Sequence, residues 1–252
     1  MKKTARKPWI EGGPVIVIVS RLLVVLLLMS ISRMLLYIFN PLLFPGVTVS
    51  RFFWYLFTGM RFDLSALLYI NLPFIVLMLL PFRFRFSRFY RRLTNLVFYF
   101  SNAVGLIPNF ADSAYFPFSL KRLTGDIFNY VALGNDTARL MPRFMVDFWY
   151  VFVLYTLAVI IMIMVCRRFV LKGRSTVQGH GWYVIGQTII AAIIGGIVVL
   201  GLRGGLQLKP IGIMEAGRYA PIQHTPLVLN SAFTILRTLD QENLEKKDYF
   251  RD

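Results

Sequence analysis

Seven polar residues in a largely apolar chain could act together on a phosphate: Arg61, Asp63, Asn109, Asp112, Arg122, Arg203 and Lys209. An arginine fork matches phosphate geometry and a lysine supplies a compact charge, so cations converging on one membrane face could hold a phospholipid headgroup. The same residues fit a second arrangement, an ion-pair network that fixes helix ends and the segment leaving the membrane. For Asp63 and Asp112 that network is the preferred reading. Arg61 and Asp63 are two apart, and such side chains do not face each other on a helix. Each is therefore expected to reach another helix or a headgroup. No recognisable nucleophile arrangement accompanies these groups, and no catalytic residue is assigned. The candidate metal ligands are equally sparse. Cys166 and His180 are expected on one side of the membrane and His224 on the other, which excludes a His/Cys metal cluster.

The elements that must position these groups are apolar runs. The chain is 57% hydrophobic and has a mean hydropathy of +0.62. Five runs stand out, at Pro14–Phe39, Phe62–Phe82, Leu93–Ala111, Val146–Val165 and Tyr183–Leu202. Each holds about 20 residues, the length a helix needs to cross a hydrocarbon core. They are continuous rather than alternating, so helices are expected and not barrel strands. The formal charge of +16 could suggest nucleic acid, but its distribution argues for a membrane. Basic residues crowd the amino terminus (Lys2, Lys3, Arg6, Lys7) and two connectors, Arg83–Arg92 and Arg167–Arg174, while the gaps between carry fewer. By the positive-inside rule the amino terminus lies in the cytoplasm and the carboxyl terminus outside. The first run is too long for a cleaved signal peptide and no small-residue cleavage site follows it.

Arg21 and Arg33 fall in or near the first run, 12 positions apart, and are expected to snorkel to opposite interfaces. The connector 40–61 contains an aromatic stretch, Arg51–Phe57, expected to lie in the interface. Asn95, Asn102 and Asn109 recur every seven residues, with Gly105 and Asp112 on the same helical face. Such amides should meet protein or water, through interhelical hydrogen bonds or, for Asn109 and Asp112, a polar cavity at the outer surface. Small residues in the fifth run (Ala191 with Gly195; Thr188 with Ala192 and Gly196) suit close helix packing. Arg203-Gly-Gly breaks that helix on leaving the membrane. Asn230 is a candidate amino cap for a short amphipathic helix lying on the outer leaflet.

The expected fold is thus an all-α membrane protein with five transmembrane helices and short interfacial helices in the external segments. Residues 1–202 form the membrane domain, 203–240 an extracytoplasmic exit segment with the amphipathic helix, and 241–252 a polar linker.

Several segments, taken together, resemble the membrane domain of the lipoteichoic acid synthase family, bacterial phosphoglycerol transferases with a sulfatase-like catalytic domain. They are Gly59-Met-Arg-Phe-Asp-Leu-Ser65; Asn109-Phe-Ala-Asp-Ser-Ala-Tyr115 followed by Lys121-Arg122; Arg203-Gly-Gly-Leu-Gln-Leu-Lys-Pro210; and Ala220-Pro with Leu227-Val-Leu-Asn230. The resemblance spans nearly the whole chain. It implies five helices in a bacterial cytoplasmic membrane, followed by a linker to a large extracytoplasmic domain of the alkaline phosphatase superfamily. That domain would carry a threonine nucleophile and a divalent metal, commonly manganese. No position here matches either motif, so no cofactor is assigned to this chain. The expected partners are membrane lipids and the catalytic domain that would follow the linker, not nucleic acid. The expected role is anchoring and lipid presentation. The alternative is a stand-alone, non-enzymatic scaffold or partner-binding module.

Overall fold

The computed structural model describes residues 9–80, 87–128, 146–171, 180–207 and 209–239. The linker expected at 241–252 and the basic residues Lys2–Lys7, Arg83, Arg85, Lys172 and Arg174 lie outside the described residues.

Five long helices run alternately up and down. They are α1 (Pro14–Phe39), α2 (Val49–Leu79), α3 (Arg88–Ser119), α4 (Trp149–Cys166) and α5 (His180–Arg203). Two short helices follow, α6 (Thr225–Val228) and α7 (Ser231–Thr238). Helices α1, α2 and α3 pack mutually, α4 packs on α3 and α1, and α5 leans chiefly on α2. Among the described residues four helices are long and apolar enough to cross a membrane: α1, α2, α4 and, from Ile185, α5. The chain is accordingly a mostly helical, multi-pass membrane protein. One small sheet departs from the all-α expectation. Residues Ile10–Gly12 (β1) and Phe169–Leu171 (β2) pair in parallel, Ile10 opposite Phe169, and tie the start of α1 to the end of α4.

Helix α3 falls short of the four in apolar character because its polar residues lie in its length. It contains the Asn95/Asn102/Asn109 stripe and opens with Arg88, Arg91 and Arg92. Its outward face is nevertheless apolar: Phe89, Leu93, Leu96, Phe100, Val104 and Ile107 are all exposed, at helical spacing. The inward asparagines are paired. Asn102 and Asn71 exchange two amide hydrogen bonds at 2.7 and 2.8 Å across α3 and α2. Gly105 on the same stripe lies against Ile70, closely enough that a side chain would displace it.

Helix boundaries differ from the apolar runs where a helix outlasts its lipid-length core. The aromatic stretch Arg51–Phe57 is continuous with a long helix. It forms the opening turns of α2, which begins at a Thr48 cap whose hydroxyl accepts from the Arg51 amide. Similarly, α3 runs past Asp112 to Ser119, so Asp112 is helical rather than in a loop. Pro73 is accommodated inside α2 and Pro108 inside α3. The small-residue stripe of α5 packs within the chain only in part: Gly195 and Gly196 face open space, and Thr188 and Ala192 are exposed. Helix α5 touches the bundle through Ala191 of that stripe, with Ile194 and Val198.

Candidate functional site

One end of the bundle gathers the ends of α1–α5 and the exit segment. Helix α5 stops there in a Schellman turn. Gly204 takes the left-handed conformation (φ 75°), its amide bonds the Gly201 carbonyl, and the Gly205 amide bonds the Leu200 carbonyl, each at 3.0 Å. The chain then passes through two short 3-10 turns, Ile213–Arg218 and Ile222–His224, before α6 and α7. The His224 ring is held between the Tyr55 hydroxyl (3.2 Å) and the Pro45 carbonyl (3.0 Å).

Arg33 is fully buried and does not snorkel, contrary to the expectation from its position. Its guanidinium pairs with Asp63 of α2, which is also fully buried. It also donates to the backbone carbonyls of Leu56 (3.3 Å) and Gly59 (3.4 Å). The physical reason is the alternative cost. A buried arginine with a carboxylate one helix away gains more from the pair than from a strained reach to the interface. Gly59 makes room for it: a Cβ there would collide with the Arg33 guanidinium and stand 2.7 Å from the Val228 carbonyl. Gly59→Ala is therefore expected to cost about 1–3 kcal/mol through overpacking, read as a lowered midpoint in thermal unfolding of the detergent-solubilised protein. An unchanged midpoint would show that the pair has slack.

Asn230 and Ser231, consecutive at the start of α7, each bind a different buried carboxylate. The Asn230 amide donates to Asp63, and the Ser231 hydroxyl donates to Asp112. The Asn230 side chain also caps its own helix, accepting from the Phe233 amide at 2.7 Å. Asn109 accepts from the Ser231 amide at 2.8 Å. Asp112 further takes the Arg122 guanidinium at 3.0 Å and the Leu123 amide at 3.1 Å. Arg122 returns to Asp112 because Leu120 ends α3 in a left-handed conformation (φ 54°) that folds the chain back. Arg122 also donates to the Pro226 carbonyl at 2.8 Å. Two carboxylates at a helix amino terminus suit the helix dipole. Helix α7 is thus packed into the end of the bundle. Its polar face, Ser231 and Thr234, is buried against α2 and α3, because those helices offer partners that lipid lacks.

Arg61, two residues before Asp63 on α2, holds the exit segment. Its three nitrogens donate to the Gly204 carbonyl, the Tyr219 hydroxyl (2.9 Å) and the Gln207 side chain (2.8 Å). Arg203 donates to the Gln207 carbonyl at 2.9 Å, and Lys209 is exposed nearby in sequence.

The seven residues therefore form two groups. Asp63, Asn109, Asp112 and Arg122 are buried, at 0–4% exposure, and join helices to α7. The polar cavity expected at Asn109 and Asp112 is closed by α7 itself. Arg61, Arg203 and Lys209 border the exit segment, with only Lys209 well exposed. Sequence reasoning missed Arg33 and Ser231. An arginine and an aspartate within adjacent apolar runs were the available signal, since ionisable groups at membrane depth pair with one another. Among the described residues no three of His, Cys, Asp and Glu gather as a metal would require. Cys166 is buried at the end of α4 and packed in the core.

No protein-family model, curated protein or solved structure matches the chain.

Proposed function

We propose that this chain is the membrane-anchoring and lipid-presenting domain of a phosphotransferase resembling the lipoteichoic acid synthases. In this reading the enzyme acts on phospholipid headgroups at the outer face of a bacterial cytoplasmic membrane. Helix α3 is a fifth span, with its apolar outward stripe toward lipid and its asparagines toward α1 and α2. Five spans place the amino terminus in the cytoplasm and the carboxyl terminus outside, and the charge distribution supports that orientation. The observation that carries the reading is the clamp on α7. Two buried carboxylates, Asn109 and Arg122 lock the last helix into the end of the bundle. A domain continuing from α7 would then start from a fixed position and height at the membrane face. Anchoring a soluble catalyst near its lipid substrate raises their effective encounter and fixes orientation.

Headgroup contact falls to Arg203 and Lys209 beside the exit segment, not to the buried group. In an enzyme extending past Asp252, Arg203→Gln with Lys209→Gln is expected to lower kcat/KM for transfer from phosphatidylglycerol about tenfold, the scale of one lost charge-assisted contact. Membrane abundance would be unchanged. Wild-type transfer by the double variant would remove the lipid-presenting role. A stop codon directly after Asp252 would remove the phosphotransferase altogether.

A stand-alone scaffold or partner-binding module is the second reading. The internal pairing of Asp63, Asp112 and Arg122 favours it, because those groups are already engaged within the chain.

A further inference from the structure

The opposite end of the bundle holds a cavity of about 580 Å³ between α1, the end of α2, the start of α3 and β2. Among the described residues five arginines line it, Arg21, Arg88, Arg91, Arg92 and Arg167, and no carboxylate. Arg88, Arg91, Arg92 and Arg167 are exposed at its rim. Arg21 is different: it is 6% exposed and lies about 18 Å along α1 from Arg33, at 1.5 Å per residue.

Among the described residues the hydrogen-bond and ring partners of Arg21 are neutral. One terminal nitrogen donates to the Asn95 side-chain oxygen at 2.8 Å and the other to the Phe169 carbonyl at 3.2 Å. The guanidinium sits 5.8 Å from the ring centre of Phe74 and 5.4 Å from that of Phe98. Its Nε is buried and makes no hydrogen bond among the described residues. Arg33, by contrast, has Asp63. None of the ion pairs among the described residues involves Arg21 or the rim arginines. A buried guanidinium with donor capacity left over, inside a ring of like charges, is a site short of an anion.

We propose that this cavity binds a phosphate group, with Arg21 at its base and the rim arginines around it. Arginine forks match phosphate oxygens bidentately, and several of them together suit a phosphate better than a lone carboxylate. Val17, Leu77, Met78 and Leu96 supply apolar wall beside the charges, which suits a phosphate joined to a glycerol or acyl portion. The phosphate can come from the headgroup of an anionic phospholipid or from free inorganic phosphate. The site is separate from the α7 clamp and does not depend on the phosphotransferase reading.

The test uses the full chain, delipidated in detergent and presented with equimolar phosphatidylglycerol and phosphatidylcholine. Retained lipid is counted by native mass spectrometry. Inorganic phosphate is titrated separately against thermal unfolding. The variant is Arg91→Gln with Arg92→Gln, whose exposed side chains leave the core untouched, with Arg21→Gln as a second variant. If the phosphate comes from lipid, the wild type retains phosphatidylglycerol at least about fivefold over phosphatidylcholine, and the rim variant brings the ratio near one. If it comes from solution, inorganic phosphate raises the unfolding midpoint of the wild type but not of the rim variant. The proposal is overturned if the wild type shows neither effect, or if the effect survives in the rim variant and in Arg21→Gln alike.

Discussion

Asp63→Ala is expected to be the most damaging single substitution in this chain. It leaves Arg33 fully buried without its anion and also takes a partner from Asn230. Removing one member of a buried pair costs about 3–5 kcal/mol, because the remaining charge stays desolvated. For a protein of this size that corresponds to a fall of about 10 °C in the unfolding midpoint. Circular dichroism of the detergent-solubilised variant reads it directly. A compensating double variant separates charge from packing: Arg33→Met with Asp63→Leu removes both charges and should recover most of the loss, since an apolar replacement of a buried pair is often neutral. A single variant that melts with the wild type would show that Arg33 finds water or a lipid phosphate instead of Asp63.

Asp112→Ala acts at the second carboxylate and should release α7 rather than unfold the bundle. Three donors lose their acceptor: the Arg122 guanidinium, the Ser231 hydroxyl and the Leu123 amide. Arg122 is 4% exposed, so the same penalty of about 3–5 kcal/mol applies, concentrated where α3 turns back onto α6 and α7. Hydrogen exchange resolves the two cases. Amides of Phe233 and Thr234 are expected to exchange at least about a hundredfold faster, while those of α1 and α2 around Leu67 and Met29 keep their protection. Unchanged exchange in α7 would mean that Asn230, Asn109 and the Phe233–Phe62 contact, 5.2 Å between ring centres, hold the helix without Asp112. Both experiments also bear on the proposed function, because a loose α7 cannot set the position of a following domain.

The two carboxylates illustrate how much of the site was readable beforehand. Asp63 and Asp112 were recognisable as polar groups at helix ends, and a network fixing helix ends was the preferred reading for both. Asn230 was recognisable as a cap because cap chemistry is local: a side-chain oxygen reaching an amide three residues on. Arg33 was misjudged as a snorkelling residue because its 12-residue spacing from Arg21 says nothing about which neighbour it faces. The polar face of α7 carries a related ambiguity. Its amphipathic pattern reports that one face differs from the other, not whether the polar face meets water or Asp112. The small-residue stripe of α5 shows the reverse case, a pattern able to pack whose Gly195 and Gly196 face open space.

The sequence by itself determined where the apolar helices lie, since hydropathy and helix length are sums over neighbouring residues. The first span, Pro14–Phe39, came out with the boundaries of α1. It also determined the Arg203-Gly-Gly stop, because a left-handed turn needs glycine whatever surrounds it. Only the tertiary structure decided which charges are buried and with whom. Arg33 meets Asp63 across 30 positions, and Ser231 meets Asp112 across 119. Those pairings follow from the rotation of each helix about its axis, which is set by packing against elements distant in sequence. The same long-range packing leaves Arg21 buried among neutral groups at the other end.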